Sequence, residues 1–135
     1  MRQVLGVLRG IEFETLLDKR VTLLDELAAG GYSQLMAYNK NICDQPFLDN
    51  SYDVVTLLEV LEHIPELGKA AETAVKMARN YVVVSVPSKE DDNPEHIHLL
   101  TKDVLTKLFA DAGCTMLHFS GVNGHLIMIA TIEEV

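Results

Sequence analysis

The stretch from Asp53 to Pro65, DVVTLLEVLEHIP, decides how this chain reads. Asp53 to Leu58 form a short apolar, β-branched run, the composition of a strand buried on both faces. The run breaks at Glu59, Glu62 and His63 and stops at Pro65. Open α/β sheets bind their ligands just past the carboxyl ends of parallel strands. Two carboxylates and an imidazole therefore stand where such sheets do chemistry. Glu59 and His63 are spaced i and i+4, so a helical turn here sets both on one face.

Working outward, residues 66–79 (ELGKAAETAVKMAR) predict a helix from their Ala, Glu, Lys and Met content. Leu67, Ala70, Ala71, Ala74, Val75 and Ala78 make its apolar stripe. Residues 81–86 (YVVVSV) predict a strand, closed by Pro87. A polar loop over 88–98 holds His96 and His98. Thr101 is a good N-cap for a helix over 102–112, and Gly113 ends it. Two strands follow, over 114–119 and 125–132. Between them Ser120 to Gly124 carries the hairpin signal Asn123-Gly124. Strands alternating with helices imply an α/β fold whose sheet is mainly parallel, with an antiparallel C-terminal hairpin at its edge.

The front of the chain is less decided. Apolar spacing favours helix over residues 1–29, broken near Gly10 and capped at Gly30-Gly31. A rival reading makes Val21 to Asp25 (VTLLD) a strand. Residues 39–50 are polar and turn-rich around Pro46.

Composition narrows the function. With 135 residues the chain suits one domain, and it is read as a single unit over 1–135. Eleven Lys and Arg stand against 20 Asp and Glu, a net charge of −9. That argues against a nucleic-acid backbone or an anionic membrane as partner. The two cysteines, Cys43 and Cys114, lack metal-site spacing and read as small apolar fillers in a cytoplasmic protein. No apolar run is long enough for a membrane span.

Five segments in order carry a family likeness: NICDQPFLDNSYDVV (41–55), LLEVLEHIP (57–65), YVVVSVP (81–87), NPEHIHLLTKDVLTKLFADAGC (93–114) and HLIMIATI (125–132). Together they resemble the class I S-adenosylmethionine-dependent methyltransferases, in particular the methyltransferase domain 11 type. The resemblance implies a Rossmann-like sheet, S-adenosyl-L-methionine as cofactor and a small-molecule acceptor. It covers residues 39–135 and leaves 1–38 divergent. The family's first motif, a strand followed by a Gly-x-Gly turn, has no counterpart upstream. Aligning residues 13–18 and 21–25 with the first two strands leaves two residues between them, where a parallel crossover needs about a dozen. The first βαβ unit therefore reads as truncated or remodelled and replaced by helix. The strand over 53–58 then has a bare edge, which predicts a homodimer or a heteromer that completes the sheet.

By the resemblance, Asn41 and Asp44 contact the cofactor, with Asn41 at the adenine edge, and Glu59 joins them. His63 is the candidate catalytic group, as a base or as the group orienting the acceptor. His96 and His98 line the acceptor side. Asp25 would hold a ribose hydroxyl if VTLLD is a strand; on a helix it is a surface charge. The spacing His-x-His, joined by His63 and Glu59, also spells a metal set. The preferred reading assigns no metal, because the family carries a similar segment without one. Two further readings stay open: a non-catalytic methyltransferase-like binding or assembly module, and a His-rich metal-binding domain.

Overall fold

A computed structural model describes residues 5–6, 42–43 and 49–133. Among these, five strands make one sheet in the order β1-β2-β3-β5-β4. They are β1 (Leu5–Gly6), β2 (Tyr52–Leu58), β3 (Ala78–Pro87), β4 (Met116–Val122) and β5 (His125–Thr131). β1 pairs with β2 in parallel, as β2 does with β3, while β5 runs antiparallel to both β3 and β4. Four strands thus point one way and β5 alone runs against them. The expected Rossmann-like sheet with an antiparallel C-terminal hairpin is present, although only two of its four pairings are parallel.

Two expectations about the front of the sheet are corrected. Helix was favoured through residue 29, yet Leu5–Gly6 is strand. The edge of β2 was expected to be bare, yet Leu5 pairs with Val55 and Gly6 with Thr56. Helical spacing of apolar residues misled here because two ladder partners suffice to recruit a short extended segment. The homodimer argued from a bare edge loses that premise. The rest of 1–29, including VTLLD and Asp25, lies outside the described residues, as do Asn41 and Asp44.

β2 is not buried equally on both faces. Val55 and Leu57 are fully buried, Val54 and Thr56 are half-buried, and Leu58 is 51% exposed. β3 alternates in the same way, with Val82, Val84 and Val86 buried. Those side chains form the core with Ala70, Ala71, Ala74 and Met77 of helix α1 (Leu67–Met77) and with Leu105 and Phe109 of helix α2 (Lys102–Asp111). The small alanine face of α1 lets its backbone lie close to the sheet.

Local signals set the boundaries. Ala78 accepts no turn after α1; the chain passes straight into β3. The Thr101 hydroxyl accepts from Val104 N at the start of α2. At its end Gly113 (φ +93) permits a Schellman closure, with Gly113 N donating to Ala110 O and Cys114 N to Phe109 O. The hairpin loop is shorter than expected. β4 runs on through Val122, and only Asn123 (φ 43) and Gly124 (φ 83) turn the chain, as in a type I′ turn.

Candidate functional site

β2 ends at Leu58, which pairs with Ser85 of β3. The next residue, Glu59, has φ 57, a left-handed conformation that costs a non-glycine residue about 1–2 kcal/mol. Neighbours hold it there. Glu59 N donates to Ser85 O (2.9 Å), Ser85 Oγ donates to Glu59 Oε2 (2.9 Å), and His125 Nδ1 meets Glu59 Oε1 at 2.7 Å. One carboxylate thereby ties the exit of β2 to β3 and to the start of β5.

This reversal corrects the expected shared face of Glu59 and His63. The helical repeat begins only at Leu61, in a single 3-10 turn over Leu61–His63. Glu59 stands before it, turned towards Ser85 and His125, while His63 faces the 88–100 loop. His63 Nδ1 meets Glu95 O at 3.0 Å, and its ring lies edge-on to the ring of His96, with centroids 4.7 Å apart. Ile97 N donates to Glu62 O and His98 Nε2 meets Ile64 O at 2.8 Å, so the loop is laced to the 3-10 turn along its length.

Glu62 lies at the centre of this lacing. Its side chain is 1% exposed, and among the described residues no donor from another residue reaches either carboxylate oxygen. Burial, chiefly, and the nearby charge of Glu59 push its carboxyl up to about 7; its own backbone N–H and His96 pull the other way. His63 Nε2 is 3.5 Å from Glu62 Oε1, too far for a sound hydrogen bond. Burial and then the neighbouring His96 hold the His63 imidazole below its ordinary range, so the ring is neutral at neutral pH. His96 Nδ1 is 2.7 Å from Asp91 Oδ2. Asp91 is itself lowered, first by the Asn93 N–H that donates to its Oδ1 and then by His96.

Of the expected site residues, the structure brings His63 and His96 together, while His98 is held on the backbone of Ile64. It separates Glu59 from that group. Ser85, Asp91 and His125 escaped the sequence reading, and Glu62 was noticed there without a role. Each becomes a partner only through β3, β5 or the 88–100 loop, contacts between residues distant in sequence. One local signal was available: Asp91-x-Asn93-x-Glu95 is a run of side-chain-capped turns, with Glu95 N donating to Asn93 Oδ1. Cys43 and Cys114 are buried and not joined in a disulfide, and burial raises the Cys114 thiol.

Comparison with known proteins agrees with this arrangement. A SAM-dependent methyltransferase from Aquifex aeolicus superposes with a TM-score of 0.66 at 16% identity, over 98% of this chain and 69% of that one. A candidate methyltransferase from Bacillus halodurans C-125 gives 0.69 at 14% identity, over 97% of this chain and 83% of that one. Magnesium protoporphyrin IX methyltransferase from Synechocystis PCC 6803, with bound SAH, gives 0.64 at 14% identity, over 86% of this chain and 61% of that one. At such identities these matches speak for the fold alone. No curated protein sequence matches significantly. A family model described as a methyltransferase domain matches residues 13–84, just over half of the sequence, and takes in β2, the Glu59 reversal, α1 and most of β3. By that match and by its fold, this chain belongs to the methyltransferase domain family.

Proposed function

We propose that the chain is an S-adenosylmethionine-dependent methyltransferase acting on a small acceptor. The observation that carries the reading is the reversal at Glu59, a strained backbone held at the carboxyl end of a central parallel strand. Such strain gathers where a fold holds groups for function, and that end of an open sheet is where ligands bind. Similar proteins of known structure support it: the Synechocystis enzyme is solved with bound SAM and with bound SAH.

The described residues fit part of the donor. The Glu59 carboxylate is acceptor-only and partly exposed at the crest of the sheet, chemistry suited to a hydroxyl. Asn41 and Asp44 are assigned the remaining cofactor contacts by family resemblance. When bound, the sulfonium supplies an already activated methyl group, so the chain is asked mainly for positioning and exclusion of water. His63, anchored through Nδ1 by the Glu95 carbonyl, is assigned to orienting the acceptor. His96 and His98, on the loop above the 3-10 turn, are assigned to the acceptor side.

A second reading has its own observation. The sequence has no Gly-x-Gly turn of the kind that lets backbone approach the methionine end of the donor. A chain without that cradle would serve as a binding or assembly module on the same sheet. Calorimetric titration with S-adenosylhomocysteine decides between them. Dissociation in the micromolar range, on the order of −8 kcal/mol, supports the enzyme. Absence of heat and of thermal shift at millimolar ligand supports the module.

A further inference from the structure

Glu62, His63 and His96 form a cluster in which one ligand atom from each lies within 4.8 Å of the other two. This triad differs from the set that spacing alone suggested. Glu59 is committed to Ser85 and His125, and His98 to the Ile64 carbonyl. Glu62, the carboxylate between Glu59 and His63, takes the central place.

Three features of the cluster point the same way. First, a carboxylate 1% exposed that receives, among the described residues, no hydrogen bond from another residue is costly, and a cation removes that cost. Second, each imidazole is fixed by an acceptor at Nδ1: Glu95 O at 3.0 Å for His63 and Asp91 Oδ2 at 2.7 Å for His96. In the neutral ring Nδ1 then carries the proton and Nε2 the lone pair. Histidines that bind metals are held by such an outer acceptor, carbonyl or carboxylate, on the other nitrogen. Third, the His63 Nε2 lone pair stands 3.5 Å from Glu62 Oε1. Two electron-rich atoms facing one another at that distance are reconciled by a proton shared between them or by a cation.

We propose that Glu62, His63 and His96 bind one divalent first-row transition cation of the zinc type. Two imidazoles and one carboxylate suit such an ion and leave further coordination positions for water or an acceptor oxygen. Ligation leaves His63 to orient an acceptor only through the bound cation and excludes its service as a base. The site stands independently of whether the methyl donor binds.

The test is Zn2+ titration of tag-free, chelator-treated protein by calorimetry, with Co2+ absorption as a second probe. Wild type is expected to take up one Zn2+ per chain with a dissociation constant at or below about 10 μM. Glu62→Gln and His96→Ala are each expected to weaken binding at least tenfold, and Asp91→Asn, which only positions His96, by about tenfold. His118→Ala, an exposed histidine on β4, should bind as wild type does. Far-ultraviolet dichroism of the metal-free variants checks that each is folded. Absence of uptake by wild type at about 100 μM Zn2+ overturns the proposal. Uptake undiminished in both Glu62→Gln and His96→Ala overturns it equally.

Discussion

Val55 and Leu57 in β2 are fully buried, and their neighbours are Val82, Val84 and the alanines of α1. Five residues beyond Leu57, Glu62 is buried to the same degree, and among the described residues no other residue donates to its two carboxylate oxygens. Between them stands Glu59 in a left-handed backbone conformation. The body of the strand follows the usual rules of burial and alternation, and the crest breaks two of them within four residues. Such breaks are sustained only where the surrounding structure holds them, and they mark functional candidates. The lesson is that depth of burial says little until the chemistry of the buried group is known.

The largest expected effect tests the body. Leu57→Ala should lower unfolding free energy by about 2–5 kcal/mol, because a fully buried leucine leaves a cavity the sheet cannot close. Urea unfolding measures it, with the m-value unchanged. A loss under about 1 kcal/mol would mean the interior of β2 is less tightly packed than its burial implies.

At the crest the sign reverses. In chelating buffer at about pH 8, Glu62→Gln should stabilise the protein by about 1–2 kcal/mol. Holding the carboxylate ionised costs up to about 3 kcal/mol for a group raised from 4.5 to about 7, and burying the amide takes back part of that relief. A destabilised variant would show that the carboxylate has a partner, and the contrast between body and crest would fail.

Glu59→Gly separates strain from contact. Glycine removes about 1–2 kcal/mol of backbone strain, while the bonds to Ser85 and His125 are lost. Those bonds are partly exposed, so stability should stay within about 1 kcal/mol of wild type. Affinity for S-adenosylhomocysteine, in contrast, should fall about tenfold if the carboxylate meets the donor. Unchanged affinity would leave Glu59 a purely structural tie.

How much of this was legible follows from the range of each interaction. The β-branched runs of β2 and β3, Thr101, Gly113 and Asn123-Gly124 are local signals, and each marks a boundary that the structure has. The pairing of Leu5–Gly6 with β2 is long-range and overrode helical spacing. The i,i+4 spacing of Glu59 and His63 failed because a single positive φ delayed the helical turn, and nothing in a glutamate announces that φ. The burial of Glu62 is likewise written in the 88–100 loop that covers it. The order of the sheet was readable; the partners of its crest were not.

The smallest effect bears on where the crest stops. Thr101 closes the 88–100 loop and opens α2, but its hydroxyl accepts from Val104 N at 3.3 Å in an exposed position. A bond that long belongs at the low end of capping energies, so Thr101→Ala should cost about 0.5 kcal/mol. His96 is held by Asp91 within the loop and His98 by Ile64 at the end of the 3-10 turn, neither of them through the cap. Zn2+ affinity in Thr101→Ala should therefore remain within about twofold of wild type. A larger drop would place the start of α2 in the same cooperative unit as the histidines, and the crest would extend into the helix instead of ending at the loop.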